Sequence, residues 1–412
     1  MKSYTINLNL LFYIIIVYSF YHPFLLTQVG FLPIINKILL VYSLLILVFI
    51  HLIKFPNIKL SRGIIALTIF YLSILISTIL NNSISFDFFQ FIGMNLAFGL
   101  LINYSLNERS EFLNLLFAIN TLIYIYIVIN FFLMLMFPEG LPQFTKNPLN
   151  PYYFFGNKNS VVKYALPGLC FSFLYDVLKY NKIRKRSWIL LLLVWITLLK
   201  SQAVTAMIGL FVFTTLLILK PSSKRSFYIY NSMFIGSIIL SVFLIFFKGE
   251  SNLLTSILNF LEKDITLSGR EHLWENAIEI IKYSPIWGYG YQGYDFYEYY
   301  IGNRYGTHNY YLDILLRGGF VTLSLFCFTI IYLSKKIVKS KSTLATLIIV
   351  VTCCSYFIMW GAEPFIDSED FMFSIIFVLI SRLETLSNYC CKKISEEKDH
   401  YHYLKRIRFL VR

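Results

Sequence analysis

Long apolar runs recur from one end of the chain to the other. They are separated by short polar stretches in which Lys and Arg collect. An α-helix needs runs of this length to cross about 30 Å of hydrocarbon, and helices satisfy their own backbone hydrogen bonds in lipid. The pattern predicts an all-α polytopic membrane protein of about twelve transmembrane helices. They fall near residues 7–21, 34–53, 63–80, 86–104, 112–136, 160–178, 187–199, 202–219, 227–247, 309–333, 343–361 and 370–387. Lys2 precedes the first run and no small-residue cleavage site follows it, so this run reads as a retained span rather than a signal peptide.

The block 187–219 reads either as two short spans hinged at Lys200-Ser201-Gln202 or as one long tilted span that inverts everything after it. Charge decides between them, because cytoplasmic loops carry the excess of Lys and Arg. With twelve spans and a cytoplasmic N-terminus, the inner loops hold Lys54, Lys59 and Arg62, then Lys179, Lys182, Arg184, Lys185 and Arg186. Lys220, Lys224 and Arg225 follow, and then Lys335, Lys336, Lys339 and Lys341. Removing one span puts the last two basic clusters outside, so the hinge is preferred and both termini are expected in the cytoplasm. The expected organisation is nine spans over 1–247, a large extracytoplasmic loop over 248–308, three spans over 309–387, and a basic cytoplasmic tail over 388–412. The tail is suited to anionic lipid headgroups.

Composition agrees. The chain of 412 residues is 57% hydrophobic and 14% charged. Its net charge of +14 does not point to nucleic acid, because the basic residues sit in short loops between spans. The six cysteines lie in spans or at the inner edge of the tail, with neither zinc-ligand spacing nor a disulfide framework.

Ordered loops as long as 248–308 are commonly functional, so chemistry is sought there first. Ser268-Gly269-Arg270-Glu271 has the form of a capping box. Leu273, Trp274, Ala277, Ile278 and Ile281 then mark one apolar face of a short amphipathic helix that ends before Pro285. Such a helix is expected to lie on the outer membrane surface with its apolar face down. Arg270 in its first turn would join a guanidinium to the positive end of a helix, a combination suited to phosphate or pyrophosphate; a solvated surface Arg is the alternative. From Pro285 to Tyr294 the chain alternates Gly and aromatic residues, and Phe296, Tyr297, Tyr299, Tyr300 and Tyr305 continue the series. These rings serve either as platforms for sugar faces or as a belt at the headgroups. Thr307-His308-Asn309 closes the loop. His308 at a helix N-terminus is expected to be neutral and able to accept a proton, with Asp313 placed to orient its neighbours.

The order of Arg270, Trp274, Pro285, Gly288, Gly290, His308, Asn309, Leu312 and Gly319 resembles the signature of the bacterial O-antigen polymerase and O-antigen ligase superfamily, over about residues 266–330. The run Gly156-Asn157-Lys158-Asn159 is similar to the Asn-rich entry to a mid-chain span in that family. The resemblance implies a metal-independent, cofactor-free glycosyltransferase of the bacterial cytoplasmic membrane. Its donor would be an undecaprenyl-pyrophosphate-linked glycan. Arg270 would hold the pyrophosphate, His308 would deprotonate the acceptor hydroxyl, and the anomeric carbon would invert. Trp274, Tyr289, Tyr291 and Asn309 join the site on the same basis. The family's Ser-Arg after the hinge is missing here. The sequence has Lys200-Ser201-Gln202, so the second cation is sought in Lys200, or in Lys158 and Lys163.

A polymerase of repeat units is preferred over a ligase, because polymerase sequences diverge more and Gln202 is a departure. A chain-length regulator and a flippase are the expected protein partners, beside the lipid bilayer. A metal-dependent polyprenyl-phosphate-sugar transferase would place carboxylates in the first outer loop, and His22–Pro33 contains none. Glu363, Asp367, Glu369 and Asp370 read as a solvated acidic loop. A flippase or transporter would show midplane charges, and only Lys37, Asp87, Lys163 and Asp176 are candidates.

Overall fold

The computed structural model describes residues 8–54, 60–146, 150–246, 270–340, 343–363, 365 and 369–390. The helices are α1 (Leu8–Phe20), α2 (Leu32–Lys54), α3 (Arg62–Leu80), α4 (Phe86–Ser105), α5 (Arg109–Met136), α6 (Ser160–Tyr180), α7 (Lys185–Ser201), α8 (Val204–Leu219), α9 (Ser223–Phe246), α10 (Glu271–Tyr283), α11 (Tyr310–Lys339) and α12 (Leu344–Trp360). α13 begins at Glu369–Phe373 and runs into a π-helix, Ser374–Leu379. The only strands among the described residues are Tyr152–Tyr153 and Gly156–Asn157, which pair antiparallel in the loop before α6.

Seven of these helices are long and apolar enough to cross a membrane, or up to eight if the pair Phe371–Leu379 and Leu383–Cys390, bent by 78°, forms one span. Shorter apolar helices are Asn9–Phe20, Val204–Leu219 and Leu344–Trp360. With α7, every expected span coincides with a helix. The chain is an all-α, multi-pass membrane protein.

Helix ends explain several boundaries. The side chains of Ser61, Ser85 and Thr343 accept from backbone N–H groups at the starts of α3, α4 and α12. Asn181, Gln202 and Lys220 close α6, α7 and α8 in left-handed conformation. Gln202 lies at φ 52° and ψ 38°, and α8 starts two residues later. The block 187–219 is therefore two helices, as the loop charges require. Asp176, fully buried near the C-terminal end of α6, accepts from Arg186, the Arg184 N–H and the Ser187 hydroxyl. It ties the α6–α7 turn rather than standing as a transport charge.

The centre of the bundle is formed late in the chain. α12 packs against α6, α8 and α9, and nearly all of its residues are buried. The π-helical stretch of α13 is buried throughout. On the outside, Ile38, Leu45 and Phe49 of α2 and Ile189 and Leu192 of α7 remain exposed, as lipid-facing positions do. The capping-box residue Ser268, most of the large loop's first half, Asp367 and the basic tail from residue 391 onward lie outside the described residues.

Candidate active site

The amphipathic helix is α10, and Arg270 sits immediately before its first turn. Its apolar face does not lie on lipid. Leu273, Trp274, Ala277 and Ile281 are buried against Ile245 of α9, Leu312 and Leu316 of α11, and Tyr297 and Ile301 of the loop. A face of this kind gains about 1.5–3 kcal/mol for each large side chain buried, and a protein surface supplies that burial as well as a bilayer does. The expectation of a surface-lying helix is corrected accordingly.

After α10 the chain enters a break in α11. Gly319 has φ 61° and ψ −163°, far from helical values. The break frees backbone groups, and the segment after Pro285 takes them up. Phe320 N–H donates to the Pro285 carbonyl at 2.8 Å and Val321 N–H to the Ile286 carbonyl at 3.2 Å. In return, Tyr289 and Gly290 N–H donate to the carbonyls of Leu316 and Arg317 at 2.7 and 2.9 Å. The approach is so close that a Cβ on Gly319 would stand 2.1 Å from the Ile286 oxygen, and one on Gly288 2.6 Å from the Leu316 oxygen. This docking accounts for the glycines of the motif.

The docking also fixes the aromatic residues. Tyr289 packs its ring on Phe296 and donates its hydroxyl to the Ile280 carbonyl at 2.8 Å. Tyr291 rests against Phe88 and Phe91, and its N–H donates to Thr78. The Tyr289 side chain thus ties the loop to itself, and that of Tyr291 binds the loop to the bundle. Trp274 is likewise spent internally: its indole N–H donates to the Thr307 carbonyl at 3.0 Å.

At the loop exit, Thr307 and Asn309 are fully buried and pinned. The Asp313 carboxylate accepts from the Thr307 N–H at 3.0 Å and from its hydroxyl at 2.9 Å. The Asn309 side chain caps α11 by accepting from the Tyr311 and Leu312 N–H groups, and donates to Ser241 at 2.6 Å. Between these pins His308 is held at φ 56°, a region that a non-glycine residue keeps only under constraint from its neighbours. Its Nδ1 is buried with no hydrogen-bond partner among the described residues. Burial first, and then the charges of Arg270 and Lys163, push the imidazole pKa down to about 3. His308 is therefore a neutral imidazole with an unpartnered ring nitrogen, and the charges of Arg270 and Lys163 act on it.

Lys163 is half-buried on the first turn of α6. It acts electrostatically on both His308 and Glu363. Lys200 is exposed in the last turn of α7. Lys158 lies in the turn before α6, where the Asn157 side chain accepts from the Asn159 and Ser160 N–H groups. Among the described residues, neither Lys158 nor Lys200 is one of the charges acting on His308.

Glu363 corrects a second expectation. It is 4% exposed, not solvated. Arg270 donates to the Ala362 carbonyl and lies 3.6 Å from the Glu363 carboxylate, and Thr205 at the start of α8 favours the charged form of the same carboxylate. Burial raises the pKa of Glu363, while Arg270 and Lys163 oppose the rise. Among the described residues, no three His, Cys, Asp or Glu side chains gather as a metal-binding group. The arrangement offers a base, two cations and a carboxylate, from α6, α8, the α10 and α11 N-termini and the end of α12.

The family model described as O-Antigen ligase matches residues 189–327. The Exopolysaccharide production protein ExoQ of Rhizobium meliloti (strain 1021) is 34% identical over 147 residues, covering 31% of this chain and 32% of that protein. The match thus spans about a third of that relative's length. No solved structure matches.

Proposed function

We propose that this chain, whose residues 189–327 match the family model described as O-Antigen ligase, is a membrane glycosyltransferase of the O-antigen polymerase and ligase superfamily that joins oligosaccharide repeat units carried on undecaprenyl pyrophosphate. The reaction takes place at the outer face of the bacterial cytoplasmic membrane. The observation that carries this reading is the neutral, buried His308, its Nδ1 without a partner among the described residues and under the charges of Arg270 and Lys163.

In this reading Arg270 and Lys163 hold the donor's pyrophosphate. A guanidinium does so through paired N–H donors and the ammonium as a point charge. His308 takes the proton from the acceptor hydroxyl. The hydroxyl oxygen attacks the anomeric carbon from the face opposite the pyrophosphate. A glycosidic bond forms, the bond from that carbon to the pyrophosphate oxygen breaks, and its electron pair leaves with the undecaprenyl pyrophosphate. Direct displacement of this kind inverts the anomeric centre. The two cations stabilise the charge that grows on the leaving group.

A ligase uses the same chemistry with another acceptor, and the description of the matching family favours keeping it as the second reading. Incubating purified protein with lipid-linked repeat units alone separates the two. A polymerase lengthens the lipid-linked glycan in that mixture. A ligase leaves it unchanged until lipid A core or another anchor is added. No transfer under either condition refutes the glycosyltransferase reading.

A further inference from the structure

We propose that Glu363 is the built-in counter-ion of the cationic site: it holds Arg270 and Lys163 in place while the site is unloaded, and the donor's pyrophosphate displaces it. The inference rests on the reading of that site as a pyrophosphate site.

Glu363 follows the last turn of α12, and its N–H donates to the Met359 carbonyl at 3.0 Å. The C-terminal end of a helix carries partial negative charge, and the carboxylate adds to it. Cationic side chains from two other parts of the fold converge there. Arg270 reaches from the start of α10 to the Ala362 carbonyl and the carboxylate, while the charge of Lys163 on α6 and the side chain of Thr205 on α8 both favour the charged form of Glu363. Such neighbours favour the charged form of a carboxylate this buried, against the burial that raises its pKa. Conversely, two cations close to a buried imidazole repel each other unless an anion stands between them.

Glu363 therefore occupies, with one negative charge, the role that a pyrophosphate takes with more. When the donor arrives, the carboxylate opposes the incoming charge and has to release Arg270. When the product leaves, it recaptures the guanidinium and helps expel the lipid pyrophosphate. Glu363 is thus a positioning residue that balances donor capture against product release.

The test uses the full-length protein with undecaprenyl pyrophosphate as the binding probe and lipid-linked repeat units as substrate. Glu363→Gln keeps the shape and the hydrogen-bonding capacity but removes the charge. It is expected to bind the probe about tenfold more tightly, equivalent to about 1.4 kcal/mol, and to lower both KM and kcat. Glu363→Asp, which keeps the charge, is expected to return the affinity towards the wild-type value. Equal or weaker probe binding by a folded Glu363→Gln protein, with the wild type binding normally, overturns the counter-ion role. A raised KM in Glu363→Gln, the mark of a merely structural contact, overturns it as well. If the wild type itself fails to bind the probe, the pyrophosphate site falls and the counter-ion role with it.

Discussion

The indole N–H of Trp274 donates to the carbonyl of Thr307 at 3.0 Å, and the two residues lie 33 positions apart in the chain. This bond joins the helix headed by Arg270 to the segment that ends in His308. It explains why a Trp follows the Arg by four residues: one helical turn separates the group proposed to hold the donor from the group that fixes its distance to the base. Trp274→Phe keeps most of the ring burial and loses the donor, leaving a buried carbonyl unpaired. The expected cost is about 1–3 kcal/mol of stability. The expected loss of turnover is larger, roughly ten- to a hundredfold, because base and cation drift apart. Thermal unfolding and turnover measured on the same preparation test this; a stability loss with unchanged turnover contradicts it.

Lys163 and Lys200 give opposite expectations. Lys163 acts on His308 and Glu363, whereas Lys200 is exposed at the end of α7. Lys163→Ala is expected to raise the donor KM by roughly tenfold or more, equivalent to at least about 1.4 kcal/mol of lost binding. Lys200→Ala is expected to change it little. Steady-state kinetics with varied donor decide between them, and the reverse order would move the second cation to the α7–α8 hinge.

Gly319 and Gly293 test the docked loop. Gly319 has positive φ and no room for a Cβ, while Gly293 has ordinary φ and nothing within 4 Å of a built Cβ. Gly319→Ala is expected to cost about 1–3 kcal/mol for the backbone conformation alone, with further loss from the clash at Ile286. Gly293→Ala is expected to be tolerated. Thermal stability of both variants in detergent provides the comparison, and equal behaviour would contradict the broken-helix account.

Much of this architecture is legible in the sequence, and the exceptions share a physical cause. The spans follow from apolar length, and the hinge at Gln202 from the sign of the loops around it. The face of α10 is visible as a period but not its partner, since Leu273 and Trp274 are equally apolar towards lipid or protein. Glu363 looks solvated because an acidic residue after a span usually is. Its burial depends on Arg270, Lys163 and Thr205 arriving from distant segments. Tyr289 and Tyr291 look like sugar platforms because an aromatic ring suits packing and recognition alike. The break at Gly319 is hidden inside a long apolar run, since the groups that compensate it come from Pro285 and Ile286.

The pH dependence follows from the charges around His308. In the unloaded site burial, Arg270 and Lys163 together hold its pKa at about 3, against 6.5 for an ordinary imidazole. A lowered value means that the base stays unprotonated, and hence competent, from neutral pH down to that range. A bound pyrophosphate offsets the two cations and removes their lowering effect, so the value rises in the loaded enzyme while burial still keeps it below 6.5. The acidic limb of kcat is therefore expected at higher pH than that of kcat/KM, since the first reports the loaded and the second the free enzyme. Coincident limbs would contradict the coupling between base and cations.

The most direct test of the central claim is the rate at which purified protein lengthens undecaprenyl-pyrophosphate-linked repeat units, compared among wild type, His308→Ala and Arg270→Ala at equal folded concentration. Loss of the base is expected to slow transfer by roughly 100- to 10,000-fold, and loss of the guanidinium by roughly 100- to 1,000-fold. Wild-type rates and chain lengths from a folded His308→Ala protein would contradict the account.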